Sequence, residues 1–183
     1  MFTNEQLKEI LKKEKEVMAK IVISGMADDK LLYKFIGDWN NADKTASRLK
    51  QIYIDSPGGQ TAIYYIIQDI INSQSDKRTL IACGELHSAA FEMFYSVKCR
   101  KVILPFTFGM YHFATDEIQI DEKGKPKENY AKARLENLKL TKNFTLNFCK
   151  RIGMNAIEIR RIKSGEDVYF QTDRLNYFLK QIR

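Results

Sequence analysis

One pattern recurs along the first half of the chain. A short apolar run ends in glycine, and a run with helical spacing of apolar residues follows it. "KIVISG" (20–25) precedes "DDKLLYKFIGDWNNA" (28–42). "LKQIYID" (49–55) leads through Ser56-Pro57-Gly58-Gly59 into "QTAIYYIIQDIINSQ" (60–74). "RTLIACG" (78–84) leads through Glu85-Leu86-His87 into "SAAFEMFYSV" (88–97). Strands alternating with helices predict βαβ units, right-handed crossovers and a mainly parallel sheet. In such sheets the chemistry gathers where strands end and helices begin.

The spacing inside each run fills in the elements. In 60–74 the apolar positions 62, 63, 66, 67, 70 and 71 predict the buried face of a helix. The helix at 88–97 carries almost no charge and is expected to be buried. "KVILPF" (101–106) and "FGMYHFA" (108–114) predict two further strands, and the polar stretch 116–128, with Gly124 and Pro126, an exposed loop or hairpin. A long helix is expected over 129–153, stopped by Gly153. "AIEIRRIK" (156–163), the strand "DVYF" (167–170) and a last helix from Asp173 complete the chain. Ahead of these, residues 3–19 predict an amphipathic helix capped by Thr3 or Asn4, with Leu7, Ile10, Leu11 and Met18 on one face. The expected organisation is therefore an N-terminal helical extension (1–19) followed by one α/β domain (20–183).

Composition narrows the function classes. No apolar run approaches the roughly 20 residues needed to span a bilayer, and the charged N-terminus lacks a signal-peptide core. A cytoplasmic protein without membrane contact is expected. Cys83, Cys99 and Cys149 are widely spaced, with no CxxC pair or histidine cluster, so neither a disulfide framework nor a metal site is indicated. Residues 121–163 hold 12 Lys and Arg against 5 Asp and Glu, an excess equal to the net charge of +7. The aromatic residues do not interleave with these cations as a base-stacking platform would, so nucleic acid is not the expected partner.

Two strand-to-helix junctions carry chemistry. Ser88 stands at one of them, before the small residues Ala89 and Ala90 and beside the free N–H groups that open a helix. His112 lies in a separate short strand, and Asp167 opens "DVYF". Taken singly, each has an ordinary structural reading: a helix cap, a packed core histidine, a turn aspartate. Together they supply a nucleophile, a base and a group that orients the base. Acyl transfer also needs two backbone N–H donors aimed at the oxyanion. The amide of Ala89 is one candidate. Gly59 is the other, since a chain without a side chain can come close, with Gly58 permitting the turn.

Four stretches resemble the ClpP family, the proteolytic subunit of the Clp protease. "YIDSPGG" resembles its oxyanion loop, "CGELHSAAF" its nucleophile turn, "MYHFA" its histidine strand and "EDVYFQTDRL" its aspartate segment. "KIVISGMAD" resembles the first strand of the fold, so the similarity runs from about residue 20 to the end. The departures are Leu86-His87 before the serine, where small residues are usual, and Ala89-Ala90 after it. In these the chain resembles divergent ClpP-like proteases of phages and mobile elements. The resemblance implies a ClpP/crotonase-type ββα spiral with 129–153 as its long handle helix. It implies self-association into heptameric, stacked rings, with Leu135, Leu138, Phe144, Leu146 and Phe148 as apolar contact surface. It also implies catalytic Ser88, His112 and Asp167, an oxyanion hole of Gly59 and Ala89, and no cofactor or metal.

The function so implied is a serine endopeptidase that cleaves unfolded polypeptides inside a ring chamber. An AAA+ ATPase unfoldase is the partner the family brings with it, although a charged helix here stands in place of its axial loops. The alternatives are a catalytically weak or inactive ClpP-like ring subunit with a structural or regulatory role, and a crotonase-type acyl-CoA enzyme.

Overall fold

The computed structural model describes residues 18–44, 49–73, 77–113 and 128–182, with backbone alone at 18 and 128–138. Six strands and six helices lie in these residues. In chain order they are β1 (Met18–Ser24), α1 (Asp29–Lys44), β2 (Leu49–Ser56), α2 (Thr61–Asn72), β3 (Arg78–His87), α3 (Ser88–Ser96), β4 (Arg100–Ile103), β5 (Phe108–Tyr111), α4 (Glu128–Arg151), α5 (Ala156–Lys163), β6 (Val168–Phe170) and α6 (Thr172–Gln181). The sheet runs β1-β2-β3-β5-β6, with β4 also paired to β3. Every pairing is parallel except β5 with β6. The architecture is a mixed α/β fold on a mostly parallel sheet, as the alternation of patterns predicts.

Alternate residues are buried in β1 (Ile21, Ile23) and β2 (Ile52, Ile54), and β3 adds Leu80 and Ala82 opposite Ile52 and Ile54. They form one core with Leu31, Phe35 and Trp39 of α1 and Ile63, Tyr64, Ile67 and Ile71 of α2. The α2 face is thus turned from the expected one: Ile66 is 43% exposed. Tyr64 takes the inward position because its hydroxyl donates to Ser56 Oγ at 2.6 Å. The second half of the core is aromatic. Phe91 of α3 stacks on Tyr111 and Phe170 and meets Phe148 and Phe178 edge-on. It joins α3, β5, β6, α4 and α6, and truncating such a ring typically costs about 3–5 kcal/mol.

Strand β3 decides where the serine goes. The sequence pattern ends this strand at Gly84, but it continues to His87. Its first half pairs with β4 and its last three residues with β5. Against β2 the register passes from Ile54↔Ala82 to Ser56↔Leu86, so three β3 residues oppose one of β2. The surplus is absorbed at Gly84, where a Cβ would lie 2.5 Å from Asp55 Oδ1. That carboxylate accepts the Glu85 N–H at 2.8 Å, replacing a lost ladder bond. The kink moves the end of β3 onto β5, and Ser88 follows at once.

Other boundaries differ for local reasons. Met18 and Ala19 belong to β1, where they pair with Leu49 and Lys50, not to the end of a helix; residues 1–17 of that expected helix lie outside the described residues. Strand β4 stops at Ile103 because Pro105 has no N–H to continue a ladder. The polar stretch 116–127 also lies outside the described residues. Helix α4 ends at Arg151, with Gly153 at φ +81°. Phe148, expected on a ring contact, is instead buried in the chain's own core.

Candidate active site

Ser88 opens α3 with a backbone φ of +52°, a left-handed conformation rare for a residue with a side chain. The position before it, His87, has the extended geometry of a helix cap. Ser88 is therefore not the cap. Its side chain is directed elsewhere: Ser88 Oγ lies 2.7 Å from His112 Nε2. His87 turns aside and packs edge-on to Tyr169, and burial lowers its imidazole from the ordinary range.

His112 follows the last residue of β5 rather than lying within it. Asp167 likewise immediately precedes β6. The antiparallel rungs run Gly109↔Phe170, Met110↔Tyr169 and Tyr111↔Val168. The next rung would be His112↔Asp167. Their side chains meet there, with His112 Nδ1 3.0 Å from Asp167 Oδ1. The imidazole is a quarter exposed and the carboxylate about half exposed (25% and 48%). Since an ionised carboxylate can only accept, the neutral imidazole that fits these contacts carries its proton on Nδ1 and leaves Nε2 bare to accept the Ser88 hydroxyl.

The glycine loop lies beside the serine. A Cβ on Gly58 would stand 2.8 Å from Ser88 Cβ and 3.4 Å from the Ala89 nitrogen. Gly58, assigned only to a turn by the sequence, is thus the glycine that touches the serine. Gly59 faces Ala27, whose backbone a Cβ there would meet at 2.6 Å. Ala27 N–H donates to Gly58 O at 2.7 Å, and Gln60 N–H to Ala27 O at 3.0 Å. This short parallel bridge turns the N–H of Gly59 to the side away from Ala27, where it has no acceptor among the described residues. Ala89 is in the first turn of α3, so its N–H has no intrahelical acceptor either. Among the described residues, the loop and the helix that adjoin the serine thus each present an amide without a backbone acceptor.

Two supports were not legible in advance. Ser56 is buried, donates to Gly25 O at 2.5 Å and accepts the Gly58 N–H at 3.1 Å. With Tyr64, whose phenol burial pushes up to about 12, it fixes the loop from below. The other is Glu92, one turn along α3 from Ser88. It is buried and accepts hydrogen bonds from Tyr111 (2.7 Å) and Tyr65 (3.1 Å). Its only signal in the sequence is to be the single charge in an otherwise uncharged helix. A pocket of about 260 Å³ opens beside Ser88 and His112 and reaches Glu92.

Among the described residues no cluster of three His, Cys, Asp or Glu could hold a metal ion, and no helix is long and apolar enough to cross a membrane. The three thiols are free, and burial raises each of them. Compared with known proteins, the chain matches no family model and no curated protein sequence.

Proposed function

We propose that the chain is a serine endopeptidase of the ClpP-like type. The observation that carries the reading is the run of contacts from Ser88 Oγ to His112 Nε2 and from His112 Nδ1 to Asp167 Oδ1. In the reaction, Ser88 Oγ attacks a peptide carbonyl as His112 Nε2 takes its proton. His112 then gives that proton to the leaving amine. Water attacks the resulting acyl-serine in the same way and releases the acid. Asp167 holds the imidazole in the tautomer that leaves Nε2 free. The amides of Gly59 and Ala89 receive the oxyanion, and each such donor is worth about 100- to 1000-fold in rate.

Assembly into rings belongs to the same reading. Parallel sheets are ordinarily covered on both faces, yet Val22 of β1 is 45% exposed. Leu140 and Phe144 of α4 are 68% and 49% exposed. Self-association would cover these side chains, and the chamber would restrict the serines to unfolded polypeptide.

The test is covalent labelling with a fluorophosphonate, followed by mass mapping. Modification of Ser88 alone is expected. An assembled sample that stays unlabelled would overturn the reading in favour of an inert ring subunit. Asp167→Asn keeps the shape but favours the wrong imidazole tautomer. It is expected to lower kcat for peptide hydrolysis on the order of 10²–10⁴-fold. A loss under about threefold would remove Asp167 from the machinery.

A further inference from the structure

Glu92 is more than a structural acceptor. It is the one ionisable carboxyl on the wall of the pocket beside the nucleophile, and no lysine or arginine lines that pocket among the described residues. Its two oxygens accept one tyrosine hydroxyl each. An ionised carboxylate has about four acceptor positions, and these tyrosines take two of them. Burial raises this carboxyl from its ordinary range, and the Tyr111 and Tyr65 hydroxyls and the Arg151 charge only partly offset that, so a ligand that brings a cation against it would relieve the cost of the buried charge.

The dimensions fit a single side chain. At about 260 Å³ the pocket is below the roughly 300 Å³ at which drug-sized sites begin. Glu92 is four residues after Ser88 on the same helix face, about 6 Å farther along the axis. A side chain entering beside the attacked carbonyl would need an unbranched stem of that reach with a cation at its tip. Thr61, Tyr65, Phe144 and Thr145 flank the path, apolar and hydroxylic surface suited to such a stem.

Resting on the serine-peptidase reading above, we propose that Glu92 is a specificity-determining residue: the pocket takes a cationic side chain from the residue whose carbonyl Ser88 attacks. Lysine fits better than arginine. Each carboxylate oxygen already holds one tyrosine, so a compact ammonium can use the remaining lone pairs. A guanidinium fork needs a free in-plane lone pair on both oxygens at once.

The experiment compares hydrolysis of fluorogenic peptides that differ only at the cleaved residue: lysine, arginine, norleucine or phenylalanine. The wild-type protein is expected to show a kcat/KM for lysine at least about 30-fold above that for norleucine, an uncharged side chain of similar length. In Glu92→Gln that ratio is expected to fall toward one. A wild-type preference for norleucine or phenylalanine overturns the proposal, as does a Glu92→Gln protein that folds and keeps the ratio. Binding separates this proposal from the catalytic one. Capped tripeptide amides ending in lysine or norleucine are titrated into Ser88→Ala, where no turnover is needed. Tighter binding of the lysine peptide supports the pocket even if Ser88 proves unreactive toward fluorophosphonate. Equal affinities overturn the pocket while labelling of Ser88 leaves the peptidase reading intact.

Discussion

Ser88→Ala is expected to remove peptide hydrolysis almost wholly, on the order of 10⁶-fold in kcat, with the fold unchanged. The substitution deletes one oxygen. Alanine meets the same left-handed backbone as serine, so the φ of +52° costs both residues alike. The oxygen gives up one contact, to a histidine that is partly open to solvent. Thermal unfolding of the variant should therefore match the wild type. The residual rate would come from the oxyanion donors and from binding alone. A variant that retains more than about a hundredth of the rate would show that Ser88 is not the nucleophile.

Gly59→Ala is expected to harm the protein in a different order, stability first. The new Cβ would lie 2.6 and 2.7 Å from the nitrogen and oxygen of Ala27, both backbone atoms that cannot swing away. The φ of +125° adds strain of its own. Together these should cost roughly 3 kcal/mol or more, read as a lower denaturant midpoint. Relief would require breaking the Ala27 bridge, and the loop would then leave Ser88. Fluorophosphonate labelling should consequently fall even under conditions where most molecules remain folded. Unchanged stability would mean that the glycine loop does not pack as described.

The two variants also separate what the sequence makes legible from what it does not. A glycine pair after a strand and a serine before two alanines are local signals, and their chemistry depends on neighbours one or two residues away. The reach of β3 past Gly84 was not legible. It depends on the Asp55 carboxylate taking the Glu85 N–H from 30 positions away. Ser88 read alone suits a helix cap, and only the extended His87 before it moves the cap back by one. The meeting of His112 with Asp167 spans 55 residues and rests on the pairing of two very short strands. No periodicity announces such a pair. Glu92 gives no such signal, because a lone glutamate ordinarily marks the wet side of a helix. Here two tyrosines from other elements satisfy it indoors.

His112 and Asp167 sit just beyond the final rung of a three-rung ladder, and among the described residues β6 is the outermost strand on that side of the sheet. So small a zipper can fray at its His112–Asp167 end while Phe170 stays stacked on Phe91, because edge elements open at lower free energy than the core. On the peptidase reading proposed above, turnover would then depend on whatever clamps that margin. A neighbouring subunit pressing on β6 would act as a switch for proton transfer, with no change at the serine itself.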